Sequence, residues 1–380
     1  MTTGSGCSWG GDEFGTPIVI SQIGRLTRVV PLAGPAAHAI AVYAEPLSAD
    51  AGLPEYLRPA DERGFEGVAC VDDAARAVVL YCALWRRWGL PSAWTAAHGL
   101  LRFLAYMQEE DGRFANFILD WAGQRNLTGS TSFLGGPQWQ ARALHALACG
   151  AATFGGTEWD ERFRRGLRWV DDFIPYMDVR AVCVLAAVQH WQATGTASSA
   201  ERAVAWAQEI AGYGSGDCLL NEAAVEPIHL WGHLQETALA ETGRAFRRPD
   251  LVERGRVSAE SLLLPAVDEC LISEHVLPFD VSCVVSGLSA VARATGNVRY
   301  AAAAARARSW FFGRNAAGQP VYDRGRGLVY DGIDEGRVSR NSGAESNIEG
   351  ALALLCWRRS SADKMTSQNV WKKGLSSHRW

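Results

Sequence analysis

The stretch GVACVDDAARAVVLY, residues 67–81, sets two adjacent carboxylates, Asp72 and Asp73, and an arginine, Arg76, at the head of an apolar segment. Neighbouring carboxylates push one pKa upward, which keeps one group protonated near neutrality while the other stays ionised. That arrangement suits acid–base catalysis. It also suits a helix cap, because an Asp at a helix start accepts free N–H groups and stabilises by about 0.5–2 kcal/mol. Both acids cannot cap the same N–H groups, so one is left for pairing with Arg76 or for chemistry. Glu345, in NSGAESNIEG, opens another apolar segment and supplies a third carboxylate. Two carboxylates several ångströms apart are what glycosidic bond cleavage requires.

Other apolar segments also begin with polar groups: Gln138, Gln140 and Arg142; Asp178 and Arg180; His229 and His233; and Asp280. Charged groups facing an interior are costly unless paired or used, so their recurrence points to a shared site. In HLWGHLQE, residues 229–236, two histidines stand four apart with Glu236 beyond them. The spacing invites a metal, yet H-E-x-x-H is absent, and a structural or substrate-binding pair is the preferred reading. QEEDGRFANFILDWAG, residues 108–123, adds Arg113, Asn116, Asp120 and Trp121 within reach of the same place, or else a turn packed by Phe114 and Phe117. Fifteen tryptophans exceed what a core of this size needs, and Trp121, Trp139 and Trp231 are candidate platforms for stacking on sugar rings.

These groups must be positioned by helices. From residue 72 the text is Ala-, Leu- and Arg-rich, broken by Gly, Pro and Asn. Segments apolar nearly all round (72–88, 137–150, 178–194, 227–243, 279–295 and 345–358) alternate with amphipathic ones (92–108, 158–174, 198–212, 249–263 and 297–312). The first set reads as buried on all sides and the second as half-exposed. Six inner helices are enough to close a ring, so the predicted fold is all-α, an (α/α)6 barrel. The expected organisation is an irregular N-terminal arm over 1–66, the barrel over 67–358 and a C-terminal tail over 359–380. Parallel inner helices would gather their N-termini, and the polar groups above, at one mouth. Long loops at 109–136 and 313–344 would frame it.

A formal charge of −4 gives no electrostatic case for nucleic acid or a membrane surface as partner. No run of 18 apolar residues predicts a transmembrane helix, and MTTGSGCSWGGDEFG lacks the pattern of a signal peptide. Nine scattered cysteines without a C-x-x-C pair fit a reducing cytoplasm. The pattern calls for no cofactor and no metal. A small molecule or oligosaccharide is the expected partner, and oligomeric state is not legible.

VDDAARAVV, EEDGRFANFILDWAG, GPQWQARALHALA and YDGIDEGRVSRNSGAESNIEGALALL, in that order, resemble an uncharacterised bacterial (α/α)6 family of six-hairpin glycosidase-like domains. Members often accompany glycosyltransferases or other carbohydrate enzymes. The resemblance covers about residues 67–358 and implies the barrel. One departure bears on activity. The family usually carries Asp-x-x-Gly-Arg-Ala-Leu, where this chain reads Gln138, Trp139, Gln140, Ala141, Arg142, Ala143, Leu144. An amide replaces the acid, which puts ordinary hydrolysis in question if that acid is catalytic. The Asp pair also resembles the Asp-x-Asp-Asp motif of class II terpene cyclases, with Asp72 as the proton donor and Cys70 where the first Asp would stand.

The leading expectation is a glycoside hydrolase-like enzyme. Asp72 or Asp73 would act as acid or base with Glu345 as partner. Arg76, Asn116, Trp121, Gln138, Trp139, Gln140, Arg142, Asp178, His229, Trp231, His233 and Asp280 would bind substrate. The alternatives are a terpene cyclase-like or isomerase enzyme that protonates its substrate through Asp72, and a noncatalytic carbohydrate-binding protein.

Overall fold

A computed structural model of the chain describes residues 16–45, 66–171, 175–222, 228–271 and 273–355. Helix α1 is Thr16–Leu26. Hairpin pairs follow: α2 (Val71–Trp88) with α3 (Pro91–Met107), α4 (Pro137–Phe154) with α5 (Thr157–Leu167), and α6 (Met177–Thr194) with α7 (Ala197–Gly212). Next, α8 (Gln235–Phe246) pairs with α9 (Pro249–Ser258), which runs through a π-turn into α10 (Leu264–Asp268). Finally come α11 (Pro278–Thr295) with α12 (Val298–Arg308), and α13 (Ala344–Leu355).

The even-numbered helices α2, α4, α6 and α8, followed by α11 and α13, touch in that order, and α13 returns to α2. They form the expected closed inner ring. Alanines 74, 75 and 77 on α2 and 141, 143, 146 and 148 on α4 are fully buried, and such short side chains let neighbouring helices approach closely. The outer partners α3, α5, α7, α9 and α12 each lie on the inner helix that precedes them. The sixth outer position is filled by α1, which packs on α13. Thus the described part of the predicted arm, residues 16–45, supplies one helix and a strand pair, Thr27–Val29 with His38–Ile40. The predicted tail, 359–380, lies outside the described residues.

Each connection from an inner helix to its outer partner spans two residues. Gly89 and Gly195 close α2 and α6 in the left-handed region, at φ 63° and 70°, and outer helices α3 and α9 open with proline. All long connections therefore lie at the opposite end, where the inner helices begin. Two expectations need correction here. The inner helix predicted at 227–243 begins only at Gln235, because Gly232, at φ 76°, turns the chain before it. Residues 213–222 and 228–234 thereby belong to a third long mouth connection beside 109–136 and 313–343. Short antiparallel pairs brace these loops: Ala69–Cys70 with Phe117–Ile118, and Ile333–Asp334 between His275–Val276 and Arg337–Val338. No described helix is long and apolar enough to cross a membrane.

Candidate functional site

The mouth is built from the first turns of the inner helices. Helix α2 is capped by Cys70, whose Sγ accepts the Asp73 N–H at 3.4 Å, so neither aspartate serves as the cap. Asn116 fixes the same turn: its carbonyl accepts Val71 N–H and its Oδ1 accepts Asp72 N–H at 3.2 Å. Asp72 then projects inward, ion-paired to Arg76 Nη2 at 2.6 Å and to Arg142 Nε at 2.5 Å. Arg76 goes on to Glu345 at 2.5 Å and Glu349 at 3.7 Å. Arg142–Asp72–Arg76–Glu345 is thus a chain of charges joining α4, α2 and α13. Both guanidiniums lie over the ring of Phe279 on α11, at 4.6 and 5.2 Å, a favourable cation–π contact when desolvated.

Carboxylates outnumber cations here, and several are forced toward the neutral form. Asp73 is buried beside Cys70, which donates its S–H to Oδ2 at 3.3 Å. Burial first, then the neighbouring Asp72 and Glu345, raise its pKa to about 7 against the pull of Arg76. Burial likewise raises Glu349, opposed by Arg76 and Arg142. Asp280 is pushed up to about 6 by burial, although the Leu277 and Trp231 N–H groups favour its anion. Asp331, held by Gly343 N–H at 2.8 Å, is also raised to about 6 by burial.

Beside this charged floor opens a cavity of about 280 Å³. Its walls include Gln138 and Arg142 of α4, Tyr176 and Asp178 at the start of α6, Asn221 and Glu222, and His229 and Trp231 of the third mouth loop. The His229 and Trp231 rings stack at 3.8 Å and 9°, and Trp231 remains 49% exposed, leaving indole surface for a ligand. Asp178 accepts Val179 N–H at 2.7 Å. Burial raises its pKa, against that N–H and the nearby His229 and Arg142. Glu222 lies on the same wall. An acid whose pKa burial raises, a second carboxyl group and an exposed aromatic stack thus share one cavity.

The structure brings Gln138, Arg142, Asp178, His229 and Trp231 to this cavity and sets Asp72, Asp73, Arg76, Asp280 and Glu345 beside it. Other predicted binding residues have structural roles instead. Trp139 is 5% exposed and donates Nε1–H to Phe114 O at 2.9 Å, so it is core and not a platform. Gln140 is fully buried, accepting Phe114 N–H and donating to Gly112 and Gly166 carbonyls. Asn116 is spent on α2. Trp121 lies in a turn whose neighbours Ala122 and Gly123 bond Leu32 and Tyr106, at the outer rim. His233 is buried against Glu236, and among the described residues no three His, Cys, Asp or Glu groups are disposed to hold a metal. Arg180 turns outward to Val170 O and Glu209. Sequence reasoning missed Tyr176, Asn221, Glu222, Phe279, Asp331 and Glu349. Of these only Glu349 carried a signal, one helical turn after Glu345.

No family model and no curated protein sequence matches the chain. Solved structures do match over nearly the whole chain. A sugar epimerase from a ruminal bacterium aligns with TM-score 0.66 at 11% identity, over 89% of this chain and 95% of its own. A D-mannose isomerase aligns with TM-score 0.64 at 11% identity, over 91% and 98%. A GH76 α-mannanase from Bacteroides thetaiotaomicron aligns with TM-score 0.61 at 9% identity, over 93% and 96%. The chain is an (α/α)6 barrel. At these identities the likeness speaks to the barrel and its mouth, while the chemistry has to be argued from the residues that line this barrel's cavity.

Proposed function

We propose that the protein is a carbohydrate-active enzyme of glycoside hydrolase-like type, working by carboxyl acid–base chemistry at the mouth of its barrel. One observation carries this reading: Asp178 and Glu222 line the same small cavity as the Trp231–His229 stack. Asp178, whose pKa burial raises, would pass a proton to the glycosidic oxygen as the C–O bond breaks. Glu222 would take the proton of the water that adds to the sugar carbon. Trp231 would carry an apolar sugar face, and Gln138 and Arg142 would meet its hydroxyls. The Arg142–Asp72–Arg76–Glu345 chain would fix Arg142 and set the field under the cavity. Asp72, with both oxygens ion-paired, is poorly disposed to deliver a proton to an alkene, which weighs against a cyclase.

The sugar epimerase and isomerase likenesses favour a second reading, in which the same acid and base move a proton on one sugar without cleavage. A nuclear magnetic resonance screen of oligosaccharides and free reducing sugars separates the two. New reducing ends signal hydrolysis; a new sugar of unchanged chain length signals epimerisation or isomerisation. In either case Asp178→Asn and Glu222→Gln should abolish turnover while melting stays near wild type. Turnover that persists in both variants would sink the reading.

A further inference from the structure

Asn221 sits in the cavity wall yet is 5% exposed, and among the described residues its Nδ2 has no hydrogen-bond partner. A buried amide N–H left unpaired costs about 1–3 kcal/mol, so the vacancy wants an explanation. The residue is not loosely held. Its carbonyl accepts Met177 N–H at 2.5 Å, which ties it to the first turn of α6. The preceding Leu220 carbonyl accepts Gln235 Nε2–H at 3.0 Å from α8. Ser258 of α9 accepts Leu219 N–H at 3.0 Å, one residue further back.

One contact, to His233, orients the side chain. Asn221 Oδ1 lies 3.4 Å from Nδ1 of His233, whose Nε2 is 3.1 Å from Glu236. The same Ser258 hydroxyl that holds Leu219 donates to Glu236 at 2.6 Å. His233 and Glu236 are fully buried, and the His233 charge and Ser258 hold the Glu236 carboxyl below its ordinary value although burial alone would raise it. With Oδ1 turned to His233, the amide has its N–H groups left over.

We propose that Asn221 determines specificity in this cavity, its Nδ2–H held by His233, Glu236 and Ser258 to meet an oxygen acceptor on the bound sugar. The inference rests on the sugar reading above and extends it. Asp178 and Glu222 offer carboxyl groups to the ligand, whereas Asn221 offers a neutral donor at one fixed point, so it would select a single hydroxyl or ring oxygen. His233, Glu236 and Ser258 are positioning residues.

The test has two arms. In the first, D-mannose, D-glucose and their singly deoxygenated analogues are titrated against wild type and Asn221→Asp, read by tryptophan fluorescence. One deoxy position should weaken wild-type binding about tenfold, the worth of one neutral hydrogen bond. Asn221→Asp should weaken the parent sugar equally and become indifferent to that position. Equal sensitivity to every position in both proteins would overturn the proposal. The second arm needs no ligand: the Asn221 side-chain amide resonances, identified by their loss in Asn221→Asp, should shift and exchange faster in Ser258→Ala, and more so in His233→Gln. Resonances unmoved by both variants would show that the positioning chain does not exist, even if sugars bind. If no sugar binds wild type, the sugar reading falls and takes the named acceptor with it.

Discussion

Asp72 on α2 and Arg142 on α4 meet at 2.5 Å across the seam between two inner helices, and Arg76 holds the other Asp72 oxygen. One of the two acids that the sequence offered as acid or base is therefore ion-paired on both oxygens, as a clasp between helices. Replacing it with asparagine leaves two largely buried guanidiniums short of a partner. We expect Asp72→Asn to lose about 2–3 kcal/mol in urea denaturation, less than for a fully buried pair because Asp72 keeps some exposure. Unchanged stability would mean that solvent already screens the clasp.

Asp73 makes stability depend on pH. Its folded value of about 7 exceeds the unfolded value near 3.9, so the native state binds the extra proton between them. Wild type should be most stable relative to Asp73→Asn below pH 4. The advantage should fall as pH rises through 7, by on the order of 2–4 kcal/mol. Parallel denaturation curves from pH 4 to 8 measure it; a constant difference would place the Asp73 carboxyl in an ordinary environment.

Gln140→Ala removes three hydrogen bonds, to Phe114 N–H and to the Gly112 and Gly166 carbonyls. It should cost about 2–4 kcal/mol and leave sugar affinity unchanged in material that stays folded. A lost affinity with normal melting would restore the binding role that its sequence position suggested.

Trp231→Ala should do the opposite. The ring is half exposed, so melting should hardly change, while sugar binding weakens by about tenfold through the lost stacking surface. Retained affinity would remove the platform from the reading.

The alternation of apolar and amphipathic segments made the ring legible, since each inner helix is buried by its own neighbours and shows it locally. Helix α8 was misread because His229 and His233 stand four apart, the spacing of one helix face, while one glycine, Gly232, ends that possibility. The role of α1 could not be read at all: its partner is α13, at the other end of the described chain, and periodicity within TPIVISQIGRL carries no record of that distance. The candidate site was legible where the cavity is lined from helix starts, as for Arg142 and Asp178. Asn221 and Glu222 escaped because loop residues gain their meaning from what they face. Gln140 and Trp139 show the converse, polar and aromatic groups whose local text resembled a site but whose partners are backbone groups of a neighbouring loop.

The packing of α1 on α13 also sets an order of events during synthesis. A ribosome delivers α1 first and α13 last, so α1 must wait, its inward face uncovered, while the intervening hairpins emerge and stack one on another. Hairpins of this kind are local and fast to form, whereas closing the circle is the one contact of greatest sequence separation. A nascent chain arrested before residue 344 would be an open crescent with two sticky edges, and holding those edges apart is work suited to a chaperone.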